Sequence, residues 1–398
     1  MKIQLMTNEY PPYIYGGAGV HVDDLSRALS ALCQVQVQCF GDQNVQSGNL
    51  SVRGFAKQDF SGSPQKLARV FDALQRGLDF NKNGIDADIV HVHTWYTHMA
   101  GIIAKLNYGI PLVLTVHSLE PLRPWKREQL AGGYDFSCWV EKTAIEMADA
   151  VIAVSQDTKK DILSLFNISP DKITVIPNGI DLAQVYKVNE PWRLTPYGIN
   201  PEKPYLLFLG RITRQKGIIH LVRAIRYLKS DIQIVLSAGS PDTPEIAAEM
   251  EAGVQEARAI HPNIIWIKDM VPLEVKRALF SHASLFCCPS VYEPFGIINL
   301  EAMACEIPVV ASAVGGIKEA VADGVTGRLV PVQMKNDLVA EPVDPEGFSR
   351  DLAFQIDALM ADSDLRFKMG QAGRQRVMDH FTWDKIARQT LELYQKLV

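Results

Sequence analysis

Two glutamates eight positions apart, Glu293 and Glu301 in the stretch VYEPFGIINLEAMACEIPVV, carry the densest chemistry in the chain. Pro294 follows Glu293 where a first helical position favours proline, and the run to Ala304 is helix-compatible. The spacing therefore predicts a helix with Glu293 at its N-terminal mouth. On such a helix eight residues advance about 12 Å along the axis and about 80° around it. The two carboxylates cannot work as a close acid–base pair. They suit a long ligand lying beside the helix, with anionic groups between its ends at the unpaired backbone N–H groups of Phe295 and Gly296. A nucleotide sugar has that form. A helix carrying two solvated glutamates has the same spacing, and this motif alone does not choose between them.

Upstream, FLGRITRQKG places Arg211 and Lys216 directly after the apolar run Tyr205–Leu209, with Gly210 and Gly217 bracketing the connection. A strand-to-helix turn there would hold two cations. GRIxxxKG followed by Glu-x7-Glu resembles the retaining glycosyltransferases of the glycogen- and starch-synthase-like family. The resemblance runs over nearly the whole length and implies an α/β chain with the GT-B fold. Such a fold has two facing Rossmann-like domains with parallel sheets and a C-terminal helix crossing back to the first domain. It also implies roles: Arg211 and Lys216 on the diphosphate, Glu293 with the Phe295 and Gly296 N–H groups on the sugar, Glu301 on the ribose, and no metal or other cofactor.

Length and composition agree with a soluble globular protein of two domains. Of 398 residues, 47% are hydrophobic and 21% charged, enough to bury two cores. No apolar run approaches the roughly 20 residues of a membrane span, and MKIQLMTNEYPP enters a strand without a signal-peptide pattern, so a cytoplasmic location is expected. A formal charge of −5 argues against a nucleic-acid binder, whereas a small anionic ligand needs only a local basic cluster. The six cysteines form no CxxC pair and are expected as buried thiols.

The elements that must position these residues follow in order. Lys2–Thr7 reads as a strand, and NEYPPYIYGGAGVHVDDLSRAL as a glycine-rich turn entering a helix with Val20, Leu25, Leu29 and Leu32 inward. Gly16, Gly17 and Gly19 could admit a phosphate or sugar, or form only a tight turn. By resemblance YGGAGVH is the loop over the donor sugar, with Gly17 in contact, although Tyr15 and Ala18 depart from the KxGGL of many bacterial members. The strand Asp88–His93 ends in HVHTWYTH, whose His91, His93 and His98 lack a carboxylate or thiolate to complete a metal set. Core or acceptor-pocket roles are expected instead. The segment resembles the family's HxHDW, with Thr94 in place of the aspartate, which assigns His93 and Trp95 to the acceptor.

The strand Pro111–Val116 delivers TVHSLEPLRPWK to its C-terminal end, where open parallel sheets bind ligands. A lone histidine there is more often structural than catalytic. The resemblance places His117 over the donor glucose. Arg123 and Lys126 offer charge for a phosphorylated acceptor, or are simply solvated. Ser155 is expected to cap a helix. The Pro177-Asn178-Gly179 turn marks the end of the first domain, and with the proline-rich tract as linker the chain divides into an acceptor domain over 1–190, a linker over 191–204, a nucleotide-sugar domain over 205–380 and a returning helix over 381–398. In the second domain strands and helices alternate, the signature of a parallel sheet. IKDMVPLEVKRAL resembles the wall of the base site, with Met270 and Val271 in contact, and SAVGGIKEAV adds Gly315 and Gly316 before another helix.

These readings favour glucose transfer from ADP-glucose to the non-reducing end of an α-1,4-glucan. The nearest rival uses glucose 1-phosphate as acceptor and makes maltose 1-phosphate. A nucleotide-sugar epimerase would need no acceptor, and a non-catalytic glucan binder would not need all four of Arg211, Lys216, Glu293 and Glu301. No pyridoxal-phosphate lysine is identifiable, which argues against a phosphorylase.

Overall fold

The computed structural model describes residues 1–60, 62–64, 67–335 and 341–398, apart from the side chains of 128 and 129. The chain divides into two units, Met1–Gly179 with Thr382–Val398, and Ile180–Phe381. In the first unit the strands are β1 (Lys2–Thr7), β2 (Gln34–Phe40), β3 (Asn44–Ser47), β4 (Leu50–Phe55), β5 (Ile89–His93), β6 (Leu112–Val116), β7 (Ala150–Ala153) and β8 (Ile173–Val175). They form one sheet in the order β3-β4-β2-β1-β5-β6-β7-β8, parallel throughout except for β3 against β4. Because β1, β5, β6 and β7 are covered on both faces, nearly every residue in them is buried, as parallel sheets require. The helix Gly17–Ser30 turns Val22, Leu25, Ser26 and Leu29 inward and leaves Val20 exposed, so the inward stripe is rotated from the expected one.

The helix Trp383–Gln395 belongs to this first unit, as the resemblance implied. Trp383 packs against Gly179, where an added Cβ would lie 2.6 Å from the indole, and donates its ring N–H to Asp24 at 2.9 Å. Tyr394, fully buried, places its hydroxyl 2.6 Å from Nδ1 of His91.

The second unit contains β9 (Tyr205–Arg211), β10 (Gln233–Gly239), β11 (Ile264–Ile267), β12 (Leu285–Cys288), β13 (Val309–Ser312) and β14 (Gly327–Val330), all parallel in the order β11-β10-β9-β12-β13-β14. The stretch expected as a linker packs onto this unit, and the division falls at the Pro177-Asn178-Gly179 turn, as that turn suggested, rather than after 190. Leu194 and Ile199 are buried there, the Val188 N–H donates to Ser281 Oγ at 2.9 Å, and the Asn200 N–H donates to Gln233 at 2.9 Å. A segment with its own apolar anchors and backbone partners does not remain a free connector.

Candidate active site

Among its parallel strands each sheet reverses its order once, between β1 and β5 in the first unit and between β9 and β12 in the second. The crevice outside the carboxyl ends of such neighbours is where open α/β sheets bind ligands. In the second unit Arg211 ends β9, with Lys216 in the loop beyond it, and Glu293 lies in the loop after β12. Lys216 joins the two sides, its ammonium donating to Glu293 Oε2 at 2.6 Å. The Ser290 hydroxyl donates to the same oxygen at 3.2 Å. Burial works against the Lys216 charge, but the adjacent Glu293 carboxylate outweighs it and holds the ammonium above its ordinary pKa.

Two glycines make this approach possible. Gly217 (φ +60°) leaves no room for a Cβ, which would sit 2.0 Å from the Pro289 carbonyl oxygen; Gly315 (φ +48°) would bring one equally close to that of Glu293. The Gly316 N–H donates to the Glu293 carbonyl at 3.1 Å. The glutamate is thus fixed through its main chain and its side chain together.

The helix begins at Ile297, not at Pro294, because Gly296 takes a left-handed conformation and Phe295 turns into the core against Phe381. Glu293 therefore lies in the preceding loop, and the helical spacing expected between Glu293 and Glu301 does not hold. The N–H groups at this helix start, Ile297 and Ile298, are the ones without an intrahelical acceptor by position. Glu301 lies within the helix and accepts from Lys276 at 2.7 Å, while Arg211 donates to Asp242 at 3.2 Å. Lys276, Asp242 and Ser290 were not singled out in the sequence. Met270 is 92% exposed and Val271 half-buried, in the loop after β11.

In the first unit the glycine loop already holds an anion of the chain's own. Glu9 Oε2 accepts from the backbone N–H groups of Tyr15 (2.8 Å) and Gly16 (2.7 Å), directly before Gly17 opens its helix. Nothing in the YGGAGVH pattern pointed to Glu9. Behind this loop lies a group of histidines. His93, the last residue of β5, places Nδ1 3.0 Å from Nε2 of His117, which follows β6, and the two rings stack. His21, missed in the sequence, brings its ring to 4.6 Å from that of His117 and places Nδ1 2.7 Å from Oδ1 of Asn178. Burial pushes His21 down to about 4 and holds His93 and His117 well below the usual imidazole range, so all three are neutral near pH 7.

Of the residues expected at the acceptor, Trp95, Arg123 and Lys126 each pack or pair within the first unit. Trp95, the first residue of its helix, is buried in the hydrophobic core and stacks on Tyr96 at 4.0 Å, because Thr94 (φ +63°) turns the chain inward. Lys126 and Arg123 are not plainly solvated. The Lys126 ammonium donates to the buried Glu120 at 2.7 Å, and Arg123 donates to Ser118 Oγ at 3.0 Å with Glu120 at 3.7 Å. Burial alone would raise Glu120, but Lys126 and Arg123 reverse that and hold it low; burial, then the charge of Glu120, raises Glu141 beside it.

Residues 15–184 match the model of Glycosyltransferase Family 4, and residues 194–376 that of Glycosyl transferases group 1. The chain is 46% identical, over the full length of both, to the α-maltose-1-phosphate synthase of Mycolicibacterium smegmatis. It is 27% identical to the glycogen synthase of Mycobacterium tuberculosis, over 99% of this chain and 94% of that one. Among solved structures, the sucrose-phosphate synthase of Thermosynechococcus elongatus superposes with a TM-score of 0.80 at 25% identity, covering 100% of this chain and 98% of that one. With its two parallel-dominated sheets and these relatives, the chain belongs to the glycogen- and starch-synthase-like family of GT-B glycosyltransferases and is a hexosyltransferase.

Proposed function

We propose that the chain transfers glucose from ADP-glucose to glucose 1-phosphate, with retention at the anomeric carbon, forming α-maltose 1-phosphate and ADP. The observation that carries this reading is the 46% identity to an α-maltose-1-phosphate synthase without a gap in coverage at either end, against 27% to a glycogen synthase. The phosphorylated acceptor, second in the sequence reading, therefore moves ahead of the glucan.

Breaking the bond between glucose C1 and the β-phosphate oxygen leaves charge on the nucleoside diphosphate, which preorganised cations stabilise most where water is excluded. In this reading Lys216 and Arg211 meet that charge and Glu293 accepts hydrogen bonds from glucose hydroxyls. Glu301 takes the ribose, with Met270 and Val271 beside the base. His117, neutral through burial, donates to or accepts from the sugar without adding charge, and Gly17 lets the sugar approach the backbone. The acceptor oxygen bonds to C1 on the face the phosphate leaves, and its proton passes to the departing phosphate. No metal is assigned a part. Arg123 is the residue assigned to the acceptor phosphate, because its Nε is buried without a partner among the described residues. No helix of the described residues is long and apolar enough to cross a membrane.

The test is nucleoside-diphosphate release from ADP-glucose and UDP-glucose with glucose 1-phosphate, glycogen or no acceptor, products being identified by mass. ADP release that depends on glucose 1-phosphate, with a disaccharide phosphate as product, is expected. Release that depends on glycogen, with lengthened chains, would return the function to glucan elongation, and product formed from donor alone would indicate an epimerase.

A further inference from the structure

We infer that His21, His93 and His117 form a binding site for a divalent cation of tetrahedral preference, Zn²⁺ above all, in which the ion acts as a reversible inhibitor. One nitrogen from each ring lies within 4.8 Å of the others. The pair His93 Nδ1 and His117 Nε2, 3.0 Å apart, is already near the roughly 3.3 Å separating two nitrogens on a tetrahedral zinc with bonds of about 2.0–2.1 Å. In the free protein one proton bridges these two atoms. If that proton moves to the far nitrogen of its own ring, both lone pairs face the same point and no charge is lost or gained.

His21 supplies the third ligand in a prepared tautomer. Its Nδ1 faces the carbonyl oxygen of the Asn178 side chain and so carries the hydrogen, which leaves the lone pair on Nε2. That Nε2 is buried and has no hydrogen-bond partner among the described residues, an unpaid polar atom that a cation would satisfy. Fixing one ring nitrogen through a partner on the other is how metal sites orient histidine ligands. His21 and His93 are 3% and 0% exposed, whereas His117 is only partly buried, so the ion would enter at His117 and keep a water as fourth ligand there. Three neutral nitrogen donors with an open fourth position suit zinc or cobalt(II) and not magnesium or calcium, which prefer oxygen.

Inhibition follows only from the role given to His117 under the proposed function, since an imidazole whose Nε2 lone pair holds a metal cannot serve the sugar. The full chain is titrated with Co²⁺ alone, and the visible d–d absorption of four-coordinate cobalt is recorded, with Zn²⁺ then added to displace it. One Co²⁺ per chain with that absorption is expected, lost in His21→Ala and in His93→Ala, and weakened about 10–100-fold in Asn178→Ala. Circular dichroism confirms that each variant is folded. Absence of the absorption in the wild type, or its persistence in both histidine variants, would overturn the site. Turnover is measured in the same samples: cobalt bound without loss of turnover would refute the role of His117 and leave the metal site standing, so the two readings fail separately.

Discussion

Replacing Lys216 by Met tests whether its contact with Glu293 is a stability device or part of the chemistry. The substitution leaves Glu293, 7% exposed, with the Ser290 hydroxyl as its side-chain donor among the described residues. Breaking a fully buried ion pair costs about 3–5 kcal/mol; the Lys216 side chain is 26% exposed, so water reaches the pair and about 2–3 kcal/mol is expected. For a unit of this size each kcal/mol is about 2–4 °C in Tm, which puts the fall at roughly 5–10 °C. Adding Glu293→Gln to that background removes the stranded carboxylate and should recover about 1–2 kcal/mol. Activity should behave in the opposite way. If each group stabilises charge or hydroxyls in the transition state, each single variant loses about 100–1,000-fold in kcat/KM, and the double variant regains nothing. The assay is differential scanning fluorimetry beside nucleoside-diphosphate release from ADP-glucose. A double variant within tenfold of wild-type kcat/KM would sink the catalytic assignment, and a Lys216→Met protein with wild-type Tm would show the pair to be solvated.

Gly315→Ala should cost at least about 2 kcal/mol and most of the turnover, because its Cβ would meet the Glu293 carbonyl oxygen at 2.0 Å; Gly324→Ala, also at positive φ but with its nearest neighbour at 3.6 Å, should cost only about 1–2 kcal/mol and leave turnover unchanged. Arg123→Ala should raise KM for glucose 1-phosphate about tenfold or more with KM for the donor unchanged; a fall in Tm with neither KM moved would make Arg123 a structural partner of Glu120 only. Burial depresses His21, His91, His93 and His98 below the imidazole range, so the unfolded chain takes up protons first as pH falls through about 6.5. Their contribution to stability is present above that pH and is lost below it, by about 2–4 kcal/mol in total between pH 6.5 and 5.5, and urea unfolding showing no such decline would refute their burial as neutral rings.

The parts of the site legible in the sequence are those fixed by chain-local physics. A parallel strand must end in a loop at the carboxyl edge, so the runs before Arg211 and His117 announced that these positions lie at that edge of their sheets. The alternation of strands and helices gave the two sheets for the same reason. What stayed hidden is whatever depends on a second segment far away in the chain. Asp242 and Lys276 sit among ordinary helix-flanking charges, and only the fold reveals that they face Arg211 and Glu301. His21 reads as one more residue in an amphipathic helix until β5 and β6 bring His93 and His117 against it. The start of the Glu301 helix was misplaced because proline at a first helical position is a local preference. Gly296 in the left-handed region and the burial of Phe295 are tertiary facts that override it.

These hidden partners change what the motif residues mean. A lysine and a glutamate directed at the same ligand from two loops would each be free to turn away in the absence of that ligand, and ordering them would oppose binding. Each charge that the proposed function gives to the donor meets a counter-charge in the chain: Lys216 at Glu293, Arg211 at Asp242, Glu301 at Lys276. An ammonium has three donors, so Lys216 can keep Glu293 on one of them while offering the others to phosphate oxygens, and a carboxylate held by one cation retains lone pairs for hydroxyls. Under the proposed function the ion pairs would fix geometry before the ligand arrives, so that the ordering cost falls within folding rather than within the catalytic cycle. By the same logic Lys216→Arg, which keeps the charge but replaces a compact ammonium by a wider planar fork between the turns held at Gly217 and Gly315, should lower kcat/KM for nucleoside-diphosphate release. A wild-type kcat/KM would refute the need for a point charge there.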